Sequence, residues 1–191
     1  MLGPLLFLLY IDGIQDVCSN DCHVSIFADD CKFFSTDEVN LQRTLDRLCE
    51  FTSKRQICIA PEKCSLLRIG KTKKTTTPAN FYIDQVEVGK RDSVKDLGVH
   101  VCSSLKWRHH VSHVTKRGHQ RSYHILHGFS TKNIHILTRA FTTFVRPILE
   151  SNSVVWNPYL KQDVLAVEAV QRKLSRRVFR KCGLRMRSYS D

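Results

Sequence analysis

His23-Val24-Ser25-Ile26-Phe27-Ala28-Asp29-Asp30-Cys31-Lys32-Phe33-Phe34 sets two short, β-prone apolar runs around a pair of adjacent carboxylates. Such runs read as strands, so the stretch predicts a hairpin with Asp29 and Asp30 at its turn. Like charges held side by side repel each other. A divalent cation relieves that repulsion, and carboxylate oxygens suit Mg²⁺, which keeps several waters and takes one or two protein carboxylates. Neighbouring strand residues point to opposite faces. One Asp would therefore be the main ligand and the other its support. The plainer alternative is a turn in which an Asp side chain caps its own backbone.

Before the hairpin, Pro4 opens an apolar run that predicts a buried helix from Leu5 to about Ile14, with Gly13 marking its end. After it, Ser35 and Glu38 have capping-box spacing. A helix should follow with Leu41, Leu45, Leu48 and Thr52 on one face, fading before Pro61. Residues 64–69 read as a strand ended by Gly70, and 71–78 as a polar basic loop. Phe81-Tyr82-Ile83 and Val86-Glu87-Val88 suggest a hairpin around Asp84-Gln85, and 94–101 a strand interrupted by Gly98. Past Trp107 the pattern turns helical, at about 108–127, 132–145 and 162–181, with Pro147 and Pro158 between the last two. The fold class is α+β.

The net charge of +12 is unevenly spread. Residues 1–102 hold 13 Lys and Arg against 14 Asp and Glu, whereas 103–191 hold 17 against 4. Composition and charge thus place a boundary near 103, giving domains 1–102 and 103–191. An excess of this size points to a polyanion, most simply nucleic acid. Its densest cluster is Arg172, Lys173, Arg176, Arg177, Arg180 and Lys181, which form two adjoining rows at i, i+4 spacing. The alternative is a set of solvated helix faces.

Eight scattered Cys without a CxxC pair, and an apolar start without a preceding basic residue, read as reduced, mostly buried thiols of an intracellular, non-secreted protein. The run 5–11 is too short to span a membrane. His109, His110 and His113 lie one turn apart, but no Cys or carboxylate pair stands at ligand spacing; they read as surface His of a basic helix rather than structural zinc.

Leu2-Gly3-Pro4-Leu5-Leu6-Phe7-Leu8-Leu9-Tyr10-Ile11, Phe27-Ala28-Asp29-Asp30, Pro61-Glu62-Lys63-Cys64 and Lys95-Asp96-Leu97-Gly98-Val99 follow one another in order. So do Ser104-Leu105-Lys106-Trp107, Phe144-Val145-Arg146-Pro147-Ile148-Leu149-Glu150, Val155-Trp156-Asn157-Pro158 and Glu168-Ala169-Val170-Gln171-Arg172-Lys173. The ordered set resembles the palm motifs and following region of reverse transcriptases from non-LTR retrotransposons, in the jockey-like group. The resemblance covers nearly the whole chain. Phe51, Arg55, Ala60, Ser151 and the Asp12-Gly13 pair depart from the family's usual residues.

The resemblance implies a partial polymerase palm, an antiparallel sheet with helices, over 1–102, and an all-helical thumb-like region over 103–191. Asp29 would be the primary metal ligand and Asp30 its acidic neighbour. Lys63 corresponds to a lysine near the leaving pyrophosphate, where a cation or proton donor helps; a surface lysine at a strand start is the other reading. Leu97, Gly98 and Val99 correspond to the primer grip, where Gly lets backbone approach the primer; a bulge is the alternative. The implied activity is RNA-directed DNA synthesis with two Mg²⁺, an RNA template, a DNA primer and deoxynucleotides, in a nucleus or ribonucleoprotein particle. The family's first catalytic Asp and its Gln-Gly would precede Met1, so the resemblance implies a carboxyl-terminal piece, inactive alone. The alternatives are a catalytically dead nucleic-acid-binding remnant and a degenerate retroelement product.

Overall fold

The computed structural model describes residues 2–19, 21–70 and 80–184. The chain is α+β and packs as two units, 1–91 and 92–191. The packing boundary precedes the compositional one because the hairpin at 93–102 joins the second unit. Its Val99 is buried in one cluster with Val111 and Val114.

In the first unit, α1 spans Gly3–Tyr10. It does not form the buried helix predicted to reach Ile14. None of its residues is buried, and Leu5 and Leu9 are 64% and 70% exposed. Apolar on every side, it has no polar face to orient it, and no described element covers it. Its end is tied down by a reciprocal pair: the Tyr10 hydroxyl donates to the Arg55 carbonyl, and Arg55 Nη1 donates to the Tyr10 carbonyl at 2.5 Å. The chain turns at Gly13, with φ of 87°, and burial begins at Ile11, Ile14 and Val17.

The acidic hairpin forms as read, from β1 (Cys22–Phe27) and β2 (Asp30–Ser35), antiparallel. The predicted helix is α2, Glu38–Lys54, with Thr44, Leu45, Leu48 and Thr52 buried. Its cap is Asp37 rather than Ser35, because Ser35 is held as the last residue of β2. Asp37 Oδ1 accepts from the Val39 N–H at 2.9 Å, while the Ser35 hydroxyl oxygen accepts from the Asp37 N–H at 3.0 Å. Glu38 pairs with Arg68 at 2.5 Å instead of folding back on the helix end.

The strand predicted at 64–69 narrows to β3, Ser65–Leu67. The predicted hairpin is β4 (Tyr82–Ile83) and β5 (Val86–Glu87), turning through Asp84 and Gln85, both at positive φ. Then β6 (Gly89–Arg91) pairs parallel with β3. A Gly-Lys-Arg strand has no apolar alternation to reveal it. Phe81, Ile83 and Val88 close a core with Ile14, Leu45 and Leu48. The basic loop at 71–78 lies outside the described residues.

The second unit starts with β7 (Ser93–Asp96) and β8 (Val99–Cys102), antiparallel. What reads as one interrupted strand is a hairpin. Leu97 and Gly98, with φ of 42° and 90°, are the two loop residues; positive φ at both matches strand twist. The helices follow: α3 (Arg108–Gly128), α4 (Ile134–Phe144), α5 (Arg146–Glu150), α6 (Ser153–Trp156) and α7 (Lys161–Lys181). The three long ones match their predicted spans. The two short ones fall where Pro147 and Pro158 had implied only a connection, Pro147 standing in the first turn of α5, where its missing N–H costs nothing. Trp156 is 1% exposed, and its indole N–H donates to the Ser151 carbonyl at 2.7 Å.

Among the described residues the strands form four two-stranded sheets, three antiparallel and one parallel. All eight cysteines are free, but only Cys22 is fully buried. None of the described helices is long and apolar enough to cross a membrane.

Candidate functional site

The acidic pair occupies the tip of the first hairpin. Register runs from Cys22 opposite Ser35 to Phe27 opposite Asp30, leaving Ala28 and Asp29 as the two loop residues. Ala28 has φ of 54°. A Cβ is strained there by about 1–2 kcal/mol, so the flanking ladder must hold it. Asp29 and Asp30 are both exposed. Burial pushes the Cys31 thiol above its ordinary range, and the charges of Asp30 and Asp29 push it further. Two adjacent solvent-facing carboxylates can hold one divalent cation that keeps its other ligands as water. No group of three His, Cys, Asp or Glu side chains among the described residues is placed to hold a metal ion.

Lys63 ends a 3₁₀ turn, Pro61–Lys63, just before β3, and its side chain is exposed. Leu97 and Gly98 form the tip of the second unit's hairpin, with Val99 opening β8. Reading the sequence missed what fixes that tip. Asn152, itself at φ of 55°, donates from Nδ2 to the Leu97 carbonyl at 3.1 Å. That contact spans 55 residues, so no local signal could have shown it.

The six cations on α7 do not share one fate. Arg172 is bound to Glu168 at 2.9 Å. Lys181, expected in the stripe, donates instead to the carbonyls of Leu126 and Phe129. It thereby satisfies orphan carbonyls at the end of α3, where a cation is favoured. Lys173, Arg176, Arg177 and Arg180 remain exposed. Lys173 and Arg177 face α3 closely enough that their charges, after burial, lower the pKa of His119. Three acids of this unit are paired or buried. Glu150 binds Arg146 at 2.7 Å, Glu168 binds Arg172, and Asp163 is buried.

The histidines differ most from their sequence reading. His110 is no surface residue: it is 3% exposed, with its ring edge-on to Trp156 at 4.9 Å. The His100 N–H donates to His110 Nδ1 at 3.1 Å. The ring is therefore neutral, with its proton on Nε2. Burial, then the neighbouring His100, His113 and His109, lower its pKa to about 4. The His100 ring lies 5.0 Å from His109 and 4.7 Å from His113.

A family model described as reverse transcriptase (RNA-dependent DNA polymerase) matches residues 1–101. The uncharacterized protein B0403.1 of Caenorhabditis elegans is 26% identical over 100 residues, covering 52% of this chain and 50% of that protein. The chain thus spans about half the length of the curated relative it matches. No solved structure matches.

Proposed function

Because the chain belongs to the reverse transcriptase (RNA-dependent DNA polymerase) family, we propose that it is the palm-and-thumb part of a non-LTR retrotransposon polymerase of the jockey-like group. In this reading the first unit supplies the acidic hairpin, and the basic helices hold a template–primer duplex by its backbone. Asp29 and Asp30 would hold Mg²⁺. When bound, that ion would stabilise charge on the oxygens of an in-line phosphoryl transfer. Lys63 would offer a proton or a positive charge to the leaving pyrophosphate. The tip at Leu97, Gly98 and Val99 would approach the primer strand, where Gly98 removes the side chain that would keep a backbone away. With only two carboxylates at the hairpin tip, the chain by itself would bind nucleic acid without extending it, and a nucleus or ribonucleoprotein particle is where such a protein would work.

One observation carries the binding role: Lys173, Arg176, Arg177 and Arg180 stay exposed while the nearby acids are engaged elsewhere. Such a surface contacts phosphates rather than base edges, so affinity should hardly depend on sequence. Each phosphate neutralised contributes about −0.9 to the log–log salt slope on duplex. The test is a salt titration of 1–191 on a primer–template duplex. Replacing Arg176, Arg177 and Arg180 with Gln should flatten the slope by roughly two to three units. An unchanged slope would reduce the surface to a solvated helix face.

A further inference from the structure

Away from α7, a second basic patch joins the hairpin of β7 and β8 to α3. Lys95 and His100 are directly paired across the hairpin. His109 and His113 come from α3 at i, i+4 spacing, and both are exposed. The rings of His109 and His113 thus lie within 5.0 Å of the His100 ring. His100 Nε2 is buried without a hydrogen-bond partner. The same row of α3 continues through Arg117 and Arg121, both exposed.

The charged groups facing this patch are cations. Lys95 acts on it from β7, and Lys116 and Arg117 from α3. His110 closes its inner edge, with the uncharged Trp156 behind. Asp96, next to Lys95, takes the alternate face of the strand. Glu150 on α5 is bound to Arg146. These rings are not placed as the ligands of one metal ion, as no group of three such side chains is among the described residues. Imidazoles gathered beside Lys95, Lys116 and Arg117 suit an anion.

We propose that Lys95, His100, His109 and His113 bind a phosphate of the nucleic-acid backbone, and that His100 and His113 take up protons as they do so, so that acid tightens the hold on the duplex. This rests on the reading that the basic unit binds nucleic acid. The physical reason is the sign of the local field. Burial first, then neighbouring imidazoles and cations, hold His100 and His113 below the ordinary histidine range. A phosphate among them reverses that field, which favours the charged imidazolium. The protonated ring also offers two N–H donors where the neutral ring offers one.

The experiment is duplex binding by 1–191 at fixed salt, at pH 7.5 and pH 6.0, with folding checked by circular dichroism at each pH. Proton uptake is read by calorimetry in two buffers of different ionisation enthalpy. Uptake of about one proton would make binding roughly thirtyfold tighter at pH 6.0. His109→Gln with His113→Gln should abolish most of that gain, while His124→Gln with His127→Gln, farther along α3, should keep it. Binding without proton uptake, or uptake that survives the first double variant, overturns the proposal. Absence of duplex binding at either pH overturns the binding role itself, a different failure.

Discussion

The two units are complementary in what they leave unsatisfied. Residues 92–184 bury a continuous cluster from Val99 through Leu137, Trp156 and Val170 to Val178, and present cations that no nearby acid neutralises. Residues 2–91 gather a smaller core around Leu45, Leu48 and Phe81, and leave α1 with no buried residue. The helical unit closes the larger core and presents cations outward. The first unit exposes both an acidic tip and a wholly apolar helix. Binding and chemistry therefore make different demands: a basic surface needs only a stable scaffold, whereas paired carboxylates need further ligands.

The sharpest way to break that comparison is to empty the centre of the helical unit. Trp156→Ala removes a fully buried ring and its bond to Ser151. Large-to-small changes of this kind cost about 3–5 kcal/mol. The expected outcome is loss of the Trp107 fluorescence transition and of amide protection along α3 and α7. Protection of Leu45 and Leu48 in α2 should persist, because their cluster is separate. Loss of protection in both clusters together would show that the units do not fold as independent cores.

His110 sharpens the comparison through pH, since the buried titrating ring belongs to the second unit. Its pKa in the folded chain is about 4, below the ordinary 6.5, so between these values the unfolded chain binds the extra proton. The neutral ring's contribution is fully present above pH 6.5 and is lost as pH falls towards 4. At about 1.4 kcal/mol per pKa unit, the loss by pH 4 is about 3 kcal/mol. Denaturant midpoints for the helical unit should fall over that window, and His110→Gln should flatten the fall. A wild-type midpoint that does not change between pH 6.5 and 4.5 would contradict the buried neutral ring.

How far the sequence discloses all this depends on the range of the interaction. Alternation around Asp29-Asp30 and around Asp84-Gln85 gave both hairpins, and the 3.6-residue period gave α2, α3, α4 and α7. These signals are local. The failures share a different cause. The apolar run at Leu5 to Ile11 reads as core because hydrophobicity says what should be covered, not whether a covering element exists. Parallel pairing of β3 with β6, the Asn152 bond to Leu97, and Lys181 on the end of α3 all join residues far apart in sequence. The histidine patch was half legible. His109 and His113 stand at helical spacing, but His100 reaches them only because the hairpin folds back on α3. Asp29 and Asp30 stood out by charge and strand pattern alone, whereas Lys63 and the 97–99 tip were named from motif resemblance.

The smallest expected effect compares the tips of the two hairpins. The tip of the second unit places Gly98 at φ of 90°, where glycine is unstrained, whereas the acidic tip places Ala28 at φ of 54°. Alanine has no polar side chain with which to offset that conformation, as Asp or Asn can. Ala28→Gly should remove about 1 kcal/mol of strain, partly offset by glycine's greater freedom in the unfolded chain. The net expectation is a local gain of a few tenths of a kcal/mol. It should appear as slower amide exchange in the β1–β2 ladder, with α2 unchanged. Strain of this kind persists only where the surroundings over-determine it, and it often marks a working site. If Ala28→Gly instead speeds exchange across the ladder, the positive φ at Ala28 is not strained, and the contrast between the acidic tip and the Leu97-Gly98 tip fails.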